Sequence, residues 1–168
     1  AGRRDLYMRM PFDDSSRVYS DDNTSRIHYL LSRQVAVSAG EYLYRQHEAS
    51  ATHRFDLRRL DFLAANRSLR SLLERYQANT DILTACEEHC WRNFVGLYLQ
   101  FRRQWAAFTP QEHQLIRLSF KESLQAMRPE RLPCALRWSP SWLFVRPFSL
   151  FCAYRHLLNG LKKILQPT

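Results

Sequence analysis

Between Thr80 and Phe108, apolar residues recur at steps of three or four: Leu83, Cys86, Cys90, Phe94, Leu97, Phe101, Trp105 and Phe108. That spacing places side chains on one face of an α-helix. Trp91, Val95 and Tyr98 widen the stripe. An aromatic face so broad must be covered on more than one side, so this stretch is expected to be the central helix of a bundle. Gly is rare, at four residues in 168, and no stretch alternates cleanly between apolar and polar. Both facts favour helix over sheet.

The rest of the chain reads around that helix. Residues 1–24 are expected to form an extended arm, because Pro11 and the cluster Asp13, Asp14, Ser15, Ser16, Asp21, Asp22 and Asn23 resist regular structure. Leu6, Tyr7, Met8, Met10 and Phe12 would let the arm lie on the bundle or on a partner. A first helix is expected over 24–48, capped by Thr24 or Ser25 and weakened at Gly40. A second runs from about Phe55 to Ala78, with Phe62, Ala65, Leu69, Leu72 and Tyr76 inward. Asn79 or Thr80 caps the central helix, with Asp81 at its positive end. Thr109-Pro110-Gln111-Glu112 combines an N-cap, a first-turn proline and a capping-box glutamate. The helix it opens carries Ile116, Phe120, Leu124 and Met127 inward and stops at Pro129.

Residues 129–147 hold Pro129, Pro133, Pro140 and Pro147, yet also Leu132, Leu136, Trp138, Trp142 and Phe144. An exposed connector seldom carries two Trp, so this one is expected to be packed against the bundle, a partner or a lipid interface. A last, amphipathic helix spans 148–168. The expected architecture is all-α: one domain with an arm (1–24), a helical bundle (25–128), an irregular Pro/Trp-rich connector (129–147) and a C-terminal helix, about five helices in total. The length suffices for a core of its own.

The net charge of +9 implies an anionic partner: nucleic acid, a lipid surface or an acidic protein face. Lys occurs only at Lys121, Lys162 and Lys163, and every other basic residue is Arg. Arg suits bidentate contacts and stacking, although a G/C-rich genome would produce the same bias. The candidate surface for an anionic partner comprises Arg54, Arg58, Arg59, Arg67, Arg70, Arg75, Arg102 and Arg103, extended by Arg117 and Lys121. No acidic residue follows Glu130. Trp138, Trp142, Phe144, Arg146, Arg155, Lys162 and Lys163 therefore form a candidate contact with a partner subunit or an anionic membrane surface. No run of about 18 apolar residues exists for a simple transmembrane helix. A start at Ala1 fits a processed mature chain or a trimmed one.

Nothing in the chain assembles a reaction centre. Cys86-Glu87-Glu88-His89-Cys90 is the one metal-like cluster. Zinc would need ligands from a second element, and His89 points about a quarter-turn from the two Cys, so these read as core cysteines. Cys four apart on one helix are badly placed for a disulfide, and a reducing compartment follows; Cys134 and Cys152 leave their pairing open. The adjacent Glu87 and Glu88 diverge. No GxSxG, HExxH, P-loop or dinucleotide fingerprint occurs. Catalytic residues, metal, cofactor and small-molecule substrate are all expected to be none.

Two local resemblances remain. His53-Arg-Phe-Asp56-Leu-Arg58-Arg59-Leu60, with Arg67, Arg70, Leu72 and Leu73, resembles over about 25 residues a small-subunit ribosomal protein family. That family has a helical hairpin with a His-x-x-Asp turn and an Arg-rich rRNA-holding helix; here the Arg pair is displaced and the expected Ser is missing. Ala153-Tyr154-Arg155-His156-Leu157-Leu158 is similar to the Leu-Tyr-Arg motif of a mitochondrial helical family of assembly factors and respiratory subunits. There the motif opens the first helix, whereas here it lies in the last, with Ala for Leu. Neither carries residue roles across.

The expected role is a non-catalytic structural accessory subunit of a large assembly. The first context is a mitochondrial inner-membrane energy-transducing complex, such as the respiratory chain or ATP synthase, on the matrix side. The alternative is an RNA-contacting protein of a mitochondrial ribosome, and the third a free-standing helical interaction module.

Overall fold

A computed structural model describes residues 4–16, 21–36, 39–40, 56–137 and 148–165, with backbone alone at 148, 149, 155, 159 and 161–165. Among them the regular structure is helical: α1 (Arg4–Arg9), α2 (Asp21–Leu31), α3 (Asp61–Arg75), α4 (Thr80–Arg103), α5 (Pro110–Gln125), α6 (Cys134–Arg137) and α7 (Phe148–Leu165). Five of these run 11, 15, 24, 16 and 18 residues, and they build the expected all-α bundle.

Local signals set most boundaries. The Asn79 side chain accepts from the Ile82 N–H at 2.9 Å and starts α4. At α5 the capping box is complete: Thr109 Oγ1 accepts from the Glu112 N–H, and Glu112 Oε2 accepts from the Thr109 N–H at 2.7 Å. Asp56 caps a 3₁₀ turn, Leu57–Leu60, that leads into α3. α3 ends in a Schellman motif. Ala78 N–H donates to Leu73 O and Gln77 N–H to Glu74 O, with Gln77 left-handed at φ 53°. The short link to Asn79 makes α3 and α4 an antiparallel pair.

The core falls into two clusters along this pair. Towards the N-terminal side, Met10, Ile27, Leu69, Leu73, Ala78, Cys86 and Cys90 pack together. Further along α4, Trp91, Phe94, Leu97, Tyr98 and Phe101 meet Leu63 of α3 and Ile116, Phe120 and Leu124 of α5. α7 enters through Phe151, fully buried, whose ring centroid lies 5.4 Å from Phe94 and 5.0 Å from Tyr98.

Four expectations need correction. The arm is not extended throughout, because Arg4–Arg9 is helical and Met10 is buried. The first helix begins at Asp21 rather than at Thr24 or Ser25, with Asp21 and Asp22 favouring its positive end. It ends at Leu31, where Ser32 Oγ donates to His28 O at 2.6 Å and the following residues to 36 are not helical. The inner face of α3 is rotated: Leu63, Ala65, Asn66, Leu69, Arg70 and Leu73 are buried, while Phe62, Leu72 and Tyr76 are half-buried. The connector is regular in part, with a 3₁₀ turn at Pro129–Arg131 and α6, and Leu132 buried. Positions 37, 38 and 41–48 of the expected first helix, and connector positions 138–147, lie outside the described residues.

Candidate functional site

The charged groups at the two ends of the bundle meet different fates. Around Cys86 and Cys90 the buried ones are paired. Arg70 and Glu87 are 6% and 1% exposed and form a bidentate ion pair, Nε to Oε2 at 2.7 Å and Nη2 to Oε1 at 3.0 Å. The Arg128 N–H also donates to Glu87 Oε1 at 2.9 Å. Burial opposes the charge on Arg70, but the Glu87 carboxylate outweighs it and holds the guanidinium above its ordinary pKa. Beside this pair, Cys86 Sγ lies 4.0 Å from Cys90 Sγ and both thiols are free. Their mutual hydrogen bond lowers the Cys86 pKa, whereas the same bond and burial push the Cys90 thiol up. Arg131 pairs with Glu74 and ties the 3₁₀ turn after α5 to α3.

The arm is held by a second network. Asp13 accepts from Asn23 Nδ2 at 2.8 Å, Ser68 Oγ at 2.9 Å and Ser15 N–H at 3.1 Å, and its own N–H donates to Thr24 Oγ1. Burial works against the Asp13 carboxylate, but the bonds from Asn23, Ser15 and Ser68 prevail and leave its pKa below the usual value. His28 Nε2 lies 2.9 Å from Met10 O, which fixes it as the donor, and Tyr7 meets the His28 ring edge-on. These contacts make Asn23, Thr24 and His28 buried polar residues that specify where the arm sits.

At the other end, α4, α5 and α7 enclose a groove of about 580 Å³. Tyr98, Phe101, Ile116 and Phe120 close its floor, and Trp105, Leu118 and Cys152 form apolar walls. Its rim is basic: Arg102 from α4, Arg117 and Lys121 from α5, and His156 from α7. Trp105 organises this rim. His113 stacks on the indole at 3.9 Å, with Nε2 2.9 Å from Trp105 O. The Arg102 and Arg117 guanidinium carbons lie 5.3 and 5.5 Å from the indole centroid, a cation–π arrangement. Arg102 Nη2 donates to His156 Nδ1 at 3.4 Å. Burial, and then the Arg102 charge, lower the His156 pKa. Among the described residues no acidic residue lines the groove, and no carboxylate pairs with Arg102, Arg117 or Lys121.

The candidate arginines therefore separate. Arg70 is not a surface residue; it is the buried partner of Glu87. Arg58 pairs with Asp56 at 2.8 Å. Arg67 is half-buried, with Nη2 3.9 Å from Glu122 Oε2 and Nη1 buried without a hydrogen-bond partner. Arg59 is half-buried, and Arg75 is exposed with its guanidinium 5.9 Å from the Tyr76 ring. Arg102 joins the groove and Arg103 is exposed beside it. Arg54, Trp138, Trp142, Phe144 and Arg146 lie outside the described residues. Arg155, Lys162 and Lys163 are on α7, where the backbone alone is described. Sequence reasoning missed Glu87 as a buried partner and His156 as a rim residue. A sign was available for Glu87, which lies between Cys86 and Cys90 of the apolar stripe.

Among the described residues, no group of three or more His, Cys, Asp or Glu is placed to hold a metal ion. No helix among them is long and apolar enough to cross a membrane. Compared with protein-family models, curated proteins and solved structures, the chain matches none.

Proposed function

We propose that this chain is a non-catalytic structural accessory subunit of a large assembly, with an energy-transducing complex on the matrix side of the mitochondrial inner membrane as its context. The observation that carries the subunit role is a second set of apolar stripes on helices whose inner faces are already buried. On α5, Leu115 and Leu118 are exposed, three residues apart; on α7, Leu150 and Leu157 are exposed, seven apart. Both spacings put each pair on one side of its helix. Scattered exposed leucines need no explanation, but paired stripes on neighbouring outer helices support a covering partner. The basic rim and the acid-free segment after Glu130 support an anionic surface on that partner, protein or lipid. The mitochondrial context rests on the local resemblance at Ala153–Leu158 and on this basic, aromatic C-terminal region.

The test is sedimentation of the native protein from detergent extract of its source, with and without ribonuclease. The expected result is a particle much larger than the 20.1 kDa chain that ribonuclease leaves intact and that co-purifies with respiratory or ATP synthase subunits. Collapse of the particle on ribonuclease treatment would transfer the protein to the ribosomal alternative. Sedimentation as the bare chain under both conditions would make it a free-standing module and overturn the subunit role.

A further inference from the structure

We infer that the groove between α4, α5 and α7 is a binding site for one molecule of a single-chain amphiphilic anion, an aliphatic chain ending in a carboxylate or phosphate. Its volume of about 580 Å³ falls in the range of ligand sites, roughly 300–1,000 Å³. Such sites combine a mostly apolar lining with a few convergent polar groups. Here the buried Phe101, Ile116 and Phe120 close the floor, and Trp105 and Leu118 present apolar surface on the walls. The convergent groups are all cationic or neutral donors, and they arrive from three helices.

The head-group chemistry follows from the rim. Arg117 and Lys121 are one turn apart on α5, and Arg102 reaches the same indole from α4. Cation–π contact with Trp105 holds both guanidinium groups beside the indole and leaves N–H donors for a planar carboxylate or a phosphate. Three cations gathered without an acid repel one another, and an anion among them removes that cost. A neutral apolar ligand would leave the rim uncompensated, and a simple anion would leave the apolar wall of Trp105 and Leu118 uncovered. One molecule with both parts fits both observations. The groove holds a single chain rather than laying the protein on a bilayer, because the cations surround a recess instead of occupying one flat face. Leu115, Leu150 and Leu157 do not line the groove, whereas Leu118 and the basic rim, invoked above for a partner, do; binding by the isolated chain tests the groove separately from the subunit role.

The experiment is titration of the full chain with dodecyl phosphate below its micelle concentration, followed by calorimetry and by the NMR signals of His156. Inorganic phosphate, dodecyl maltoside and phosphatidylglycerol vesicles serve as comparison arms. The expected result is saturable one-to-one binding of dodecyl phosphate, at least about tenfold tighter than either inorganic phosphate or dodecyl maltoside. His156 shares the groove with Arg102, Arg117 and Lys121, and with Cys152 one turn before it on α7, so its pKa should rise when the anion arrives. Arg117→Gln/Lys121→Gln should weaken dodecyl phosphate about tenfold or more, and Leu118→Ser several-fold, with helical content unchanged in both. Equal affinity for dodecyl maltoside, or for inorganic phosphate, would overturn the inference. So would wild-type affinity in the charge variant, or binding to vesicles alone.

Discussion

The two ends of the bundle handle positive charge in opposite ways. Around Cys86 and Cys90 the cations are matched to carboxylates: Arg70 with Glu87, Arg131 with Glu74. Around Trp105 two guanidinium groups are gathered on one indole, and among the described residues no carboxylate lines the groove beside them. Paired and buried, a charge can specify structure, since only one arrangement of the chain satisfies it. Left unmatched at the edge of an apolar recess, the same residue type is available to something outside the chain. Arg count on a helix says nothing about which of these applies. α3 looks the more basic element in one dimension, yet two of its three candidate arginines, Arg67 and Arg70, point at carboxylates or into the core.

The largest effects should come from breaking the paired end. Glu87→Ala leaves Arg70 buried without its partner and removes the acceptor of the Arg128 N–H. Loss of one member of such a pair costs about 3–5 kcal/mol, measurable as a fall in the denaturant midpoint. The double variant Arg70→Met/Glu87→Leu should be more stable than Glu87→Ala, because it buries no orphan charge. A double variant as unstable as the single one would mean that the pair's network, not its charge balance, holds this end. Phe151→Ala, in the aromatic end, should cost a similar amount by opening a cavity among Trp91, Phe94 and Tyr98.

A smaller effect attaches to the cap of α5. Thr109→Ala removes the side-chain acceptor of the Glu112 N–H and should cost about 1 kcal/mol, seen in thermal unfolding. By contrast, Arg117→Gln/Lys121→Gln should leave stability within about 0.5 kcal/mol of the parent, since among the described residues neither is paired with a carboxylate. A marked gain in stability would itself indicate how far the unmatched cations repel one another.

Two titrations sharpen the contrast further. The folded pKa of Asp13 is depressed below its ordinary value of 3.8. Its contribution is therefore present above that value and lost as pH falls through the lower folded pKa. Asp13→Asn should be less stable than the parent at neutral pH, and the gap should close only under acid conditions below the ordinary value. For His156 the depression comes from burial first and Arg102 second. Arg102→Gln should thus raise the His156 pKa part of the way towards 6.5, as read by NMR. An unchanged His156 would place Arg102 elsewhere in solution.

Much of the fold was legible before any tertiary contact was known. The capping box at Thr109, the Asn79 cap and the inward stripe Ile116, Phe120, Leu124 and Met127 are all found as expected. Each depends on residues within one or two turns, so the local sequence suffices to specify it. The N-terminal region was less legible for the same reason. Asp13 and Ser68 are 55 residues apart, and Asn23 reaches Ala65 O across 42. A cluster of Asp, Ser and Asn reads as loop when its distant partners are unseen.

The sequence by itself determined that this chain is helical, where α4 and α5 begin, and which stripe of α4 is core. Those properties are set by hydrogen bonds and periodicities spanning three to seven residues. The tertiary structure alone decided that Arg70 is interior, that Glu87 is its partner, and that Arg102, Arg117, Lys121 and His156 share one groove. Burial and charge pairing are sums over neighbours from several helices, and no single helix contains the information to compute them.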